Sequence, residues 1–172
     1  WRTLGVDTTG DPRLLEVIKQ ADVIHPWLVG RYNEKTYEKY RQEHIIEDLK
    51  WSKAHGKSYA PTVYPGFSWH NLYPESQSNK IPRNEGRFYW KQLAGAMESG
   101  AEMIYVAMFD EIDEGTAIMK VASKVPIGKS VFVPRSKELP SDHYLWLTGM
   151  AGKMLRGEIP FSKTMPIRGK NQ

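Results

Sequence analysis

The chain is 172 residues long, 40% hydrophobic and 26% charged, which is the composition of one ordinary globular domain with its own core. It has no cysteine, so disulfide scaffolds, thiol catalysis and cysteine-bound zinc are excluded. The net charge is +4, and Lys163, Arg168 and Lys170 in the last twelve residues supply three of it, so the basic balance is a tail over residues 161–172.

A nucleic-acid footprint needs Lys and Arg clustered on one face, and none is expected here. No apolar run is long enough to cross a bilayer, so a membrane is not an expected partner. The chain begins at Trp1 rather than Met, and an N-terminal portion is expected to be missing or processed. Six Trp and nine Tyr stand out. Flat rings fill cores, and they also stack on sugar faces.

Read in chain order, the pattern alternates strand and helix. Residues 22–30, DVIHPWLVG, read as a short buried strand running into a loop. A helix is expected over about residues 34–55, with Tyr37, Tyr40, Ile45 and Leu49 on its apolar side and a stop near Gly56. Its mixed charges suit a solvated face. Residues 58–69, SYAPTVYPGFSW, begin as a strand and turn into a Pro-Gly loop. The polar loop over residues 74–86 is long for a compact domain, which marks it as functional or mobile. Residues 87–99 read as a helix closed by Gly100. A strand over residues 102–109 follows, then a short strand candidate at residues 130–134. A last helix covers about residues 141–156, with Ser141 as N-cap and Gly157 at its end.

Strands alternating with helices at this spacing predict a parallel sheet in one domain over residues 1–172. Two architectures fit: an open doubly wound sheet, or part of a (β/α)8 barrel. A barrel needs roughly 250 residues, so this chain would supply about half. Both architectures put ligands at the C-terminal ends of their strands. The loops there carry His25-Pro26-Trp27, Pro65-Gly66-Phe67-Ser68-Trp69-His70 and residues 110–116.

The last of these loops holds four acids in five positions: Asp110, Glu111, Asp113 and Glu114. Four unpaired charges do not belong in a core. A solvated loop is the plain reading. A calcium loop fits poorly, because Ile112 stands where an EF-hand places a ligand. The third reading is a general acid and base pair. Glycoside hydrolysis needs one carboxyl group to protonate the departing oxygen and another as nucleophile or base, with pKa values pushed apart. Glu111 and Glu114 lie three apart at a strand end, and Gly115 permits a sharp bend after them.

The run Asp110-Glu111-Ile112-Asp113-Glu114-Gly115-Thr116 resembles the Asn-Glu-Trp-His-Glu-Gly-Thr motif of glycoside hydrolase family 99, the endo-α-mannosidase group. The stretches at residues 22–32, 61–69 and 82–92 are similar to the family 71/99-like proteins described as xylosidase/arabinosidase. The resemblance covers most of the chain. It implies an α/β fold, the C-terminal half of a (β/α)8 TIM barrel. It implies a retaining glycosidase in which Glu114 is the acid/base. Glu111 would assist the substrate 2-hydroxyl in attacking the anomeric carbon, through an epoxide-like intermediate. No metal or organic cofactor is implied.

Ile112 and Asp113 replace the family's Trp-His, and Asp110 replaces its Asn, which leaves mannose specificity open. By the same resemblance residues 1–5 look like the tail of a preceding strand-end loop. The chain is then a fragment of a longer protein or one of two associating half-barrels. The expected partner is a carbohydrate, the expected compartment secreted or periplasmic. A non-catalytic carbohydrate-binding protein is the alternative.

Expected substrate-binding residues are Asp110, Asp113, His25, Trp27, Tyr64 and Trp69. Tyr105, Trp90 and Trp146 are expected in the core. Arg31 and Arg83 are expected either to pair with the acids or to form surface salt bridges. His70 reads as a surface or helix-starting residue, and Ser68 lacks the glycine context of a nucleophile elbow.

Overall fold

A computed structural model describes residues 3–169. Two short helices open them, α1 (Leu4–Gly10) and α2 (Pro12–Ile18). Thr3 caps α1 by accepting from the Val6 amide, and Asp11 caps α2 ahead of a proline in its first turn. The strand-end loop expected at residues 1–5 is corrected from residue 3 onward: Thr3 has the extended backbone of an N-cap and α1 starts at once. Residues 1 and 2 lie outside the described residues.

Four short strands follow: β1 (Val23–Ile24), β2 (Ser58–Tyr59), β3 (Thr62–Val63) and β4 (Tyr105–Val106). They form two parallel pairs, β1 with β2 and β3 with β4. β2 and β3 lie on one stretch of chain whose hydrogen bonds alternate in direction. The Ser58 and Ala60 amides donate to Asp22 and Ile24, while the Pro61 and Val63 carbonyls accept from Tyr105 and Ala107. Segment 58–63 is thus flanked by β1 on one edge and β4 on the other. Pro61 has no N–H to offer on the edge that faces β4, which keeps that ladder short. Strands neighbouring in sequence are neighbours in space, as successive units of a barrel would be.

The strand expected at residues 130–134 is not formed. The Val131 amide donates to the side chain of Asn71 instead of to a neighbouring strand. The expected long helix over residues 34–55 is α3 (Tyr37–Tyr40), a π-helical turn (Arg41–Ile45) and α4 (Ile46–Ala54). The extra residue in the π turn shifts the buried stripe, which runs Tyr37, Arg41, Ile45, Asp48, Ser52. Tyr40 and Leu49 pack only partly buried at its edge.

The polar loop after residue 74 is fastened by an antiparallel bridge between Phe67 and Ile81 and ends in a 3-10 turn (Asn84–Gly86). Helix α5 (Arg87–Glu98) closes at Gly100, which has a left-handed φ of 91°. Helix α6 (His143–Leu155) starts two residues later than expected. Asp142 takes the cap position in place of Ser141, without a side-chain capping bond.

Two hydrophobic clusters carry the fold. One gathers Ile24, Leu28, Tyr32, Tyr37, Ile45 and Tyr64 around the first strands. The other gathers Val63, Tyr89, Trp90, Leu93 and the α6 residues Tyr144 and Leu147. Trp90 is core as expected, while Trp146 is only partly buried, beside His143 and under Arg168.

Gln92 joins the two clusters. Its fully buried amide donates to the carbonyls of Tyr64 and Phe88 and accepts from the Tyr64 amide and the Tyr32 hydroxyl. A side chain thereby does for the end of β3 what a neighbouring strand would do. As far as residue 169 the basic tail is docked: Lys163 pairs with Glu98, and Arg168 with Asp142 at 2.6 Å, while Lys170 lies outside the described residues.

Candidate active site

The acidic loop is a closed turn built by its own backbone. The amides of Thr116 and Ala117 both donate to the Glu111 carbonyl, at 3.2 and 3.0 Å. The Ile118 and Met119 amides donate back to Phe109, so the chain returns beside the strand end it left. Gly115 makes the bend with φ 68°, where a Cβ would also lie 2.9 Å from a Val133 methyl.

Within this turn the two glutamates occupy different surroundings. Glu111 is held from inside: the Thr116 hydroxyl, fully buried, donates to its Oε2 at 2.5 Å. Glu114 is half-buried, and its carboxyl pKa is raised, first by that burial and then by the charges of Glu111 and Asp113. A hydrogen bond from Trp69 acts in the opposite direction. One carboxylate fixed by a hydroxyl and a second held toward its protonated form is the division that acid/base chemistry requires.

The Pro-Gly loop after β3 supports the turn. The Ser68 amide donates to the Glu114 carbonyl at 2.7 Å, and Ser68 itself is buried. Asn71 donates to the carbonyls of Asp113 and Val131 and accepts from the Val131 amide, which ties the turn to the segment behind it. Trp69 is 42% exposed and lies 4.4 Å, ring to ring, from Tyr73. His70 is partly buried and bonds the Ser76 carbonyl.

Glu111, Glu114, Asp113 and Trp69 are therefore brought together, and Asp110 lies exposed at the entry to the same turn. His25 and Trp27 gather instead around Tyr105, with ring centroids 4.2 and 6.4 Å away. The His25 Nδ1 also contacts the Ala60 carbonyl at 3.0 Å. Tyr105 is 38% exposed rather than core, because the side of β4 that carries it is not covered. Tyr64 is corrected as a substrate contact. It is fully buried and its hydroxyl donates to the Tyr32 carbonyl, so it offers no surface to a ligand.

Arg83 is corrected as well: it is neither a surface salt bridge nor a partner of the acids. It is buried, donates to the Ala117 carbonyl and lies 4.6 Å from the Tyr144 ring centre. Sequence reasoning missed Asn71, Thr116 and Ser68 as supports. Thr116 closes the acidic motif, but nothing in its spacing reveals that its hydroxyl turns back onto Glu111. Among the described residues no group of three or more His, Asp or Glu is arranged to hold a metal ion, and no helix is long and apolar enough to cross a membrane.

Residues 30–156 match the family model of glycosyl hydrolase family 99. A zebrafish (Danio rerio) glycoprotein endo-alpha-1,2-mannosidase-like protein is 30% identical over 90 residues, which are 52% of this chain and 20% of that protein. Two structures of the endo-alpha-mannosidase of Bacteroides thetaiotaomicron, one in complex with bis-tris-propane, superpose with a TM-score of 0.64 at 28% identity. They align with 79% of this chain and with 41% and 38% of theirs. The chain thus spans well under half the length of these relatives. Those relatives are (β/α)8 barrels; this chain covers part of their length, and its described residues form two short two-stranded parallel sheets among mixed helices.

Proposed function

Because the chain belongs to glycosyl hydrolase family 99, we propose that it is the carboxylate-bearing part of a glycosidase that cleaves oligo- or polysaccharides with retention. In this reading Glu111 draws the proton from a substrate 2-hydroxyl as that oxygen attacks the anomeric carbon. Glu114 protonates the departing glycosidic oxygen. The resulting epoxide-like sugar is opened by water, which Glu114, now a base, deprotonates. The 2-hydroxyl recovers its proton from Glu111, and both carboxyl groups return to their starting states.

The observation that carries this reading is the pairing of a half-buried Glu114, with its pKa raised, and a Glu111 fixed by Thr116 on the same turn. An acid must hold its proton at working pH, and burial moves Glu114 in that direction. Trp69 is the candidate platform for the sugar face. The relatives named above are endo-α-mannosidases, which favours an internal α-mannosidic bond over a xylosidic or arabinosidic one. A binding protein without turnover is the second reading, favoured by the exposed rings of Trp27, Tyr105, Trp69 and Tyr73.

The test uses α-mannan, xylan and arabinan oligosaccharides with products followed by mass spectrometry. It is run on these 172 residues and on the longest reading frame that encodes them. Glu114→Gln is expected to abolish α-mannoside cleavage, at least about 100-fold, while oligosaccharide binding persists. Cleavage that survives Glu114→Gln removes Glu114 as the acid/base. Binding without cleavage in both lengths of the parent protein selects the second reading.

A further inference from the structure

Ile112 and Ala117 of the acidic turn also line one side of a cavity of about 280 Å3, which no step of the glycosidase reading uses. Its other walls are largely apolar, with Val121, Phe132 and Val133 prominent, and its two cations are Arg83 and Lys120. No acid lines it. In sequence Glu111 and Asp113 flank the lining residue Ile112 and Glu85 follows Arg83 by two positions; the Glu111 carboxylate is already engaged by Thr116, and Glu85 pairs with Arg87.

Arg83 is the unusual member. It is 6% exposed, and its Nη2 donates to the Ala117 carbonyl at 2.7 Å. The Tyr144 ring and hydroxyl lie against it. Its Nε and Nη1 are buried and make no hydrogen bond of good geometry among the described residues, although the Tyr144 hydroxyl lies within reach of the guanidinium. A guanidinium does not discharge in a protein, so burial leaves a full positive charge that the Ala117 carbonyl and the Tyr144 ring and hydroxyl, all neutral groups, only partly offset. A buried charge of this kind calls for an anion, and walls of valine and phenylalanine call for hydrocarbon.

We propose that this cavity is a binding site for a small carboxylate with an aliphatic tail, its carboxylate toward Arg83 and its tail against Val121, Phe132 and Val133. An inorganic oxyanion would leave most of its oxygens facing apolar walls. A neutral alcohol of the same length would leave the guanidinium unanswered. Because Ala117 is bonded both to Arg83 and to the Glu111 carbonyl, a bound carboxylate also stiffens the base of the acidic turn.

The probe is sodium hexanoate, titrated by calorimetry and by thermal unfolding against equal sodium chloride, with hexan-1-ol as the neutral comparator. At ten times its Kd, hexanoate is expected to raise Tm by roughly 3 °C. Hexanol is expected to bind at least about tenfold more weakly, because it lacks the charge-assisted bond. Arg83→Met removes the charge and is expected to lose the discrimination between the two. Ala122→Trp puts a large side chain at an exposed lining position and keeps the Arg83 charge, and is expected to lose hexanoate while remaining folded. This second variant decides the matter if Arg83→Met fails to fold. Hexanol binding as tightly as hexanoate, full hexanoate affinity in Ala122→Trp, or no shift beyond the chloride control would each overturn the proposal.

Discussion

Replacing Gln92 with leucine tests the central joint of the fold. The side chains are close in volume, so packing changes little and the loss is in hydrogen bonds. Four bonds disappear, but not all leave an orphan. The Tyr32 hydroxyl keeps the Thr62 carbonyl, and the Phe88 carbonyl keeps its place in the α5 ladder. Only the amide and carbonyl of Tyr64 are stranded, inside a core where water does not reach. Each such group costs about 1–3 kcal/mol, which puts the destabilisation at about 3 kcal/mol after the extra apolar contact is credited. For a chain of this size that lowers Tm by roughly 10 °C.

The assay is urea unfolding at fixed pH, with Gln92→Glu beside it. The glutamate keeps both acceptor bonds but loses the donor bonds to the Tyr64 and Phe88 carbonyls and buries a charge, so it is expected to be at least as harmful. Tyr64 leads directly into the loop that carries Ser68 and Trp69 to Glu114, and the Gln92→Leu protein is therefore also expected to show altered Trp69 fluorescence. A loss below about 0.5 kcal/mol in Gln92→Leu would refute the idea that one amide stands in for a neighbouring strand.

Asp48 predicts a pH dependence. Burial pushes its carboxyl up to about 7, although the Leu4 amide and the Tyr59 hydroxyl favour its charged form. Folding therefore favours the protonated carboxyl. The stability it contributes is present below the unfolded pKa near 4 and is lost as pH rises through 7, a swing on the order of 4 kcal/mol. Asp48→Asn is expected to flatten unfolding free energy between pH 4 and 8, and parallel curves for the two proteins would contradict this. Gly115→Ala sets an L-residue at φ 68° against Val133 and should cost about 1–2 kcal/mol in thermal unfolding. Thr116→Val frees the Glu111 carboxylate and is expected to lower turnover about tenfold with little change in KM, with Thr116→Ser restoring it.

Some of this molecule is legible in local pattern alone. Residues 87–98 form a helix because their apolar positions recur at helical spacing, and Gly100 ends it with the left-handed φ that glycine tolerates. The parallel pairing follows from strands separated by helices, and the acidic turn follows from four charges that no core accepts. Each of these depends on neighbours a few residues away.

Tertiary structure decided what depends on distant partners. Residues 130–134 look like a strand in composition, but a strand needs a second chain beside it, and Val131 finds the Asn71 side chain instead. Tyr64 lies in the core and Tyr105 lies open because coverage is a property of the other elements, not of alternation along one strand. Arg41, Asp48 and Arg83 are buried although charge patterning puts such residues at the surface, since each meets a bonding partner far along the chain. The two glutamates are alike as letters in the sequence. The buried Thr116 hydroxyl and the half-buried pocket beside Trp69 give them different chemistry, because a pKa belongs to a place and not to a residue type.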